Sequence, residues 1–181
     1  MVLRRTCAED AAEYRAVRAQ SAELHAPWIT LGAARTDPGY EWGFNRWRSD
    51  LVEHRRAPFF VARLEDGAIV GGIALSEIVR GDFQSAYCGY WASQAHARRG
   101  YMTEGLGLLL DHAFGRMGLH RIEANIQPGN GPSIALVRRV GFQREGFSPR
   151  YLKINGSWCD HERWAILADD WRTLRAGRVT P

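Results

Sequence analysis

Ala86-Tyr87-Cys88-Gly89-Tyr90-Trp91-Ala92, the connection Ser93 to Met102, and the run Thr103 to Met117 decide the architecture of this chain. The first is short, apolar and β-prone, with Gly89 inside it, which marks either a bulge or a close approach of something to the backbone. The third is the clearest helix. Leu106, Leu109, Leu110, Ala113, Phe114 and Met117 form one stripe at helical spacing, the pattern of a face packed on a core, and Gly118 is placed to end it. Between them lies Arg98-Arg99-Gly100-Tyr101-Met102-Thr103-Glu104. Unsatisfied N–H groups and the positive end of the helix dipole favour an anion at such a start. Two arginines add charge there, and Gly100 lets the chain come close to a ligand. The other reading is a purely structural strand–glycine–helix junction. Neither GxxxxGK[ST] nor GxGxxG occurs, so a Walker loop and a dinucleotide fingerprint are excluded.

Outward from this stretch, Ala8 to about Glu23 has helix-forming composition, and Leu24 to Thr36 reads as an exposed, aromatic-bearing connection. Asp37-Pro38 starts a second helix to about Arg56. Pro58 to Arg63 and Ala68 to Val79 read as a hairpin turned at Glu65-Asp66-Gly67. Downstream, Arg121 to Ile126 alternates as a half-buried strand. Pro132 to Val140 is a short helix ended by Gly141, and strands follow near Phe142–Leu152 and Glu162–Leu167. The order ααββ-β-αβ-αβ-β is that of a mixed α/β layered domain. Its 181 residues, without repeat or linker, suit a single domain over 1–181.

No apolar run approaches the roughly 20 residues that span a bilayer, and the first residues lack a secretory h-region, so a cytoplasmic location is expected, with no membrane partner. Cys7, Cys88 and Cys159 are odd in number and unspaced for metal, so free thiols and no metal site are expected. The net charge of +4 is almost all arginine, Lys153 being the one lysine. It suits phosphate-bearing partners, or it reflects only a coding bias toward arginine; it is too diffuse to point to direct DNA binding.

From Ile78 to His161 the chain resembles the GNAT superfamily, and more narrowly its RimJ/RimL branch of ribosomal-protein N-terminal acetyltransferases. The resemblance rests on Gly89-Tyr90-Trp91, Arg99-Gly100-Tyr101-Met102-Thr103-Glu104-Gly105-Leu106, Leu119 to Asn125, Asn130-Gly131-Pro132-Ser133 and Val140 to Gly146. Ile78 to Phe83 and Tyr151 to His161 point to RimJ in particular, and Pro27-Trp28 is the one upstream hint. It implies the GNAT fold, a mixed central sheet flanked by helices, and acetyl-CoA as cosubstrate.

The resemblance further implies that the pyrophosphate rests on Ala97-Arg98-Arg99-Gly100-Tyr101-Met102, with Thr103 opening the helix. Two positions depart from the family's Q/R-x-x-G-x-G/A pattern: Ala97 replaces Gln/Arg and Met102 replaces Gly/Ala. Strands around Gly89–Trp91 and Arg121–Asn125 should splay to admit the pantetheine arm, with a backbone N–H near Tyr90 or Trp91 polarising the thioester carbonyl. Both aromatics have a second reading as core residues. Asn130 matches the asparagine that bonds the pantetheine. The tyrosine many members place seven residues later is Val137 here, so Ser133 becomes the candidate for assisting the sulfur; its other reading is a helix cap.

The base is left open among Glu77, Glu123, Asp160 and His161, while Glu104 needs no role beyond the helix dipole. An α-amino group, with a pKa near ~8 against ~10.4 for lysine, asks little of a base. The acceptor implied is the N-terminal alanine of a small-subunit ribosomal protein, with ribosome association alongside. A small amine such as an aminoglycoside or polyamine is the alternative, and a non-catalytic RNA binder a third. Trp158 and Trp164 are expected in the core rather than in a dimer contact.

Overall fold

The computed structural model describes residues 1–29 and 56–177. Seven strands form one sheet in the order β1-β2-β3-β4-β5-β7-β6. They are β1 (Val2–Arg5), β2 (Ala57–Ala62), β3 (Ile69–Val79), β4 (Ser85–Ala92), β5 (Arg121–Ile126), β6 (Gln143–Ile154) and β7 (Ser157–Leu167). Every neighbouring pair is antiparallel except β4 and β5, which run parallel. The helices are α1 (Ala11–Gln20), α2 (Ala22–His25), α3 (Tyr101–Asp111), α4 (Gly131–Val140) and α5 (Ala168–Gly177).

Apart from the helix expected from Asp37, the expected strand and helix order is present, with additions and changes of detail. β1 adds an edge strand and α5 a closing helix, neither of which the sequence reading contained. The helix expected over Ala8–Glu23 is interrupted at Ser21, whose hydroxyl donates to Val17 O at 2.7 Å and accepts from Gln94 N–H at 2.9 Å. A serine that competes for backbone hydrogen bonds is a local reason for a helix to stop. The helix expected from Asp37 lies outside the described residues, apart from Arg56, which is not helical. The helix at Thr103–Met117 starts two residues earlier and widens to π geometry over His112–Arg116, ending at Gly118 with φ +63°. Gly89 is not a bulge: it pairs in register with Ala74.

Alternation explains the two layers of core. Residues 73, 75, 86, 88, 122, 124 and 126 point toward Leu106, Leu109, Leu110, Ala113, Phe114, Val137 and Trp171 in one large cluster. The opposite face carries a smaller cluster of Tyr14, Phe60, Ile69 and Ala74, against which Trp91 packs. Each fully buried leucine in this arrangement contributes about 1.5–3 kcal/mol. Trp164 is buried, whereas Trp158 is 62% exposed, so the core placement expected for Trp158 is corrected. It sits at the start of β7 beside the two-residue Asn155-Gly156 turn, where both residues have positive φ and the pleat turns alternate side chains to solvent. The cysteines are all free, as expected.

α3 approaches the sheet closely because Gly105 has no side chain. A Cβ there would lie 2.6 Å from Val61 Cγ2, a stiff β-branched neighbour. Gly105→Ala gains about 1 kcal/mol of helix propensity, but the overlap costs about 1–3 kcal/mol. A net destabilisation is expected, read as a lower denaturation midpoint in urea; an unchanged or higher midpoint would show that α3 can shift freely.

Candidate active site

β4 and β5 are hydrogen-bonded only at Ser85↔Arg121, Ala86↔Ile122 and Tyr87↔Glu123. Beyond Tyr87 the two strands part, so the splay expected over all of Arg121–Asn125 begins only after Glu123. A cleft of about 560 Å³ lies at this end of the sheet, lined by residues from both faces. Tyr90 lines it together with α4, and Trp91 together with α2 and the segment after it. All ten residues singled out from the sequence line it: Tyr90, Trp91, Arg98, Arg99, Gly100, Tyr101, Met102, Thr103, Asn130 and Ser133.

The loop has the build of an anion cradle. Arg98 has φ +62° and Gly100 φ +83°, and left-handed residues at this spacing turn successive N–H groups toward one side. Gly100 caps α3 and its carbonyl accepts from Thr103 and Glu104, which leaves the Tyr101 and Met102 N–H groups without intrahelical acceptors. Arg98 and Arg99 are exposed and form no ion pair with a described residue. No atom of the described residues lies within 4 Å of a Cβ built on Gly100. These features fit a diphosphate: backbone donors, two guanidiniums and open space. Met102 explains its own departure from the expected pattern. Its sulfur would stand 2.4 Å from a Cβ on Gly71, so the side chain occupies the space that a glycine on β3 leaves. Glu104, besides its place in the first turn, pairs with the Met1 ammonium at 2.6 Å.

Opposite the loop, Asn130 caps α4 by accepting from Ser133 N–H at 3.2 Å. The capping role considered for Ser133 therefore belongs to Asn130, and the Ser133 hydroxyl instead lies 2.6 Å from Tyr90 Oη. Burial raises the Tyr90 pKa above that of an ordinary phenol, so it is a neutral donor. If Tyr90 donates, the Ser133 proton is left to point elsewhere, and donation strengthens the next donor in a chain.

The segment after α1 closes the other side of the cleft. His25 Nε2 lies 2.8 Å from Ala92 O and Nδ1 lies 2.9 Å from Arg18 Nη1. Those partners require a proton on Nε2 and a lone pair on Nδ1. Burial, reinforced by Arg18, lowers its pKa to about 4. Trp28 O accepts from Gln127 Nε2 at 3.3 Å, and Ala26 O accepts from Asn155 Nδ2 at 2.9 Å. Residues His25, Trp28 and Ile29 thus line the cleft; of these only Trp28 had been marked in the sequence.

The four candidate bases do not converge. Glu77 is exposed at an irregularity of β3 with φ +48°, and Asp160 accepts from Arg150 N–H at 2.7 Å. Glu123 pairs with Arg121 at 2.9 Å. His161 is buried, with Nδ1 3.0 Å from Cys159 O and its ring 5.6 Å from that of Tyr151. Glu123 and His161 share the sheet face that carries α1. Tyr151 and Asn125 belong to the same group and were given no role from the sequence, although the alternation of Asn125 with Ala124 and Ile126 was visible there.

A model of the acetyltransferase (GNAT) domain matches residues 1–143. The chain belongs to this family of acetyl-CoA-dependent N-acetyltransferases. A probable N-acetyltransferase of Bacillus subtilis, YjcK, is 40% identical over 135 residues, 75% of each chain. The [ribosomal protein uS5]-alanine N-acetyltransferase of Escherichia coli is 36% identical over 107 residues, 59% of this chain and 55% of that one. Among solved structures, Mycobacterium smegmatis RimJ in complex with CoA-disulfide superposes with a TM-score of 0.84 at 32% identity, covering 97% of this chain and 88% of that one. The mixed sheet with flanking helices is thus the GNAT fold, as expected. No described helix is long and apolar enough to cross a membrane.

Two measurements check the site. Gly100→Ala forces alanine into a left-handed conformation at about 1–2 kcal/mol, so CoA affinity by calorimetry should fall about tenfold; an unchanged affinity would mean the loop does not hold the cofactor in this conformation. His25 has a folded-state pKa depressed to about 4 from 6.5. Its stabilising contribution is complete above pH 6.5 and is lost as pH falls through 4. His25→Gln should therefore melt with a flatter pH dependence across that window than the parent chain.

Proposed function

We propose that this enzyme transfers acetyl from acetyl-CoA to the N-terminal amine of a protein, an N-terminal alanine of a small-subunit ribosomal protein. The observation that supports the transfer step is the Tyr90–Ser133 hydroxyl pair at the β4–β5 opening. The acceptor class is supported by the likeness to the uS5-alanine N-acetyltransferase and to RimJ. In this reading Arg98, Arg99 and the N–H groups from Gly100 to Met102 hold the pyrophosphate, while the Asn130 amide and the edge of β4 hold the pantetheine. A backbone N–H near Tyr90 or Trp91 meets the thioester oxygen, where charge gathers during attack.

As the amine nitrogen bonds to the carbonyl carbon, the carbon–sulfur bond breaks and the amine loses a proton. Ser133 Oγ–H supplies a proton to the sulfur as Oγ takes the Tyr90 Oη proton, and the proton lost by the amine returns to Tyr90 through water. The enzyme would act beside ribosomes in the cytoplasm, a setting its excess of arginine suits.

Ser133→Ala should lower kcat about 10²-fold, within the usual range for a proton donor, with CoA affinity unchanged. An equal loss in both would make Ser133 a structural residue. Incubation with acetyl-CoA, an alanine-initiated uS5 peptide, the same peptide begun with a bulky residue, and spermidine decides the acceptor. Mass spectrometry should show acetyl only on the alanine peptide; acetylation of spermidine alone would replace this reading with a small-amine one.

A further inference from the structure

Asn125 follows the last paired residue of β5 on the same sheet face, and an extension of the Tyr87↔Glu123 register would set it opposite Gly89. The strands have parted there. Gly89 is exposed, and no described atom lies within 4 Å of a Cβ built on it. Asn125 Nδ2 donates to Tyr151 Oη at 3.4 Å. Burial, with Tyr87 nearby, raises the Tyr151 pKa to about 12, so Tyr151 is a neutral hydroxyl. With Nδ2 turned to Tyr151, Asn125 Oδ1 is buried with no donor among the described residues. A buried carbonyl oxygen with no partner costs about 1–3 kcal/mol, and such groups in native proteins call for an explanation.

The geometry points to Asn125 Oδ1 as the group that receives an N–H of the acceptor amine. An attacking amine aims its lone pair at the carbonyl carbon, so its N–H bonds point away from it, and an acceptor behind the nitrogen orients the attack. A neutral amide suits this position better than a carboxylate. A nearby negative charge would stabilise the ammonium form and withhold the lone pair. Tyr151 acts as a positioning residue that holds the Asn125 amide. Gly89 leaves the approach open.

This inference rests on the transfer reading but not on the identity of the acceptor. Its test needs neither turnover nor a known substrate. The probe is CoA–S–CH2–CO–NH–CH3, which carries one N–H at the acceptor position, compared with CoA by calorimetric titration. The intact chain should prefer the probe over CoA. Asn125→Leu should reduce that preference about fivefold, the size of one ordinary hydrogen bond, with CoA affinity held within twofold. Asn125→Asp, which keeps the accepting oxygen, should retain the preference. An unchanged preference in Asn125→Leu overturns the proposal, as does an equal loss of CoA and probe binding or a loss in Asn125→Asp matching that in Asn125→Leu. A chain that shows the expected pattern yet ignores alanine peptides would lose only its acceptor assignment.

Discussion

Everything at the site depends on where β4 stops pairing with β5. Parallel strands normally continue their ladder while both remain extended. Here it ends after Tyr87 and Glu123, and both strands continue apart. Each is secured on its outer side instead, β4 by β3 through Gly71↔Ala92 and β5 by β7 through Ile126↔Glu162. The opening is therefore held from outside and needs no filler. It leaves the β5-facing edge of β4 without a paired strand beyond Tyr87 and joins one face of the sheet to the other.

The two faces have different chemistry. On the face of the large apolar cluster, α3 and α4 bring backbone donors, two arginines and a hydroxyl pair to one cleft. On the other, Tyr87, Glu123, Asn125, Tyr151 and His161 present polar groups on alternate positions of neighbouring strands. In the proposed reaction the cofactor would enter from one face of the sheet and the amine from the other, so that neither path blocks the other.

Legibility in the sequence followed the range of the interactions. The Leu106–Met117 stripe and the Arg98–Glu104 loop are local patterns, and both appear close to where they were read. β1 is too short to carry a pattern of its own and exists because β2 offers it an edge. The break at Ser21 depends on Gln94, far along the chain. Trp158 read as core because a tryptophan usually is, yet the Asn155-Gly156 turn sets the pleat that exposes it. Ser133 was chosen by resemblance; that Tyr90 holds it and Asn130 takes the cap could come only from three dimensions. The orphaned oxygen of Asn125 is likewise a property of what surrounds it, not of the residue.

Met102 and Gly71 form a lock and its keyway, cut on separate elements. The loop departs from its family's pattern, and the compensation lies on a strand some thirty positions upstream by numbering. A search that inspected only the loop would count methionine as damage. Transplanting this loop into a relative whose third strand bears a side chain at that place would fail for want of room. The portable unit is the pair, and the Arg98–Glu104 loop of this enzyme is in that sense partly encoded in its sheet.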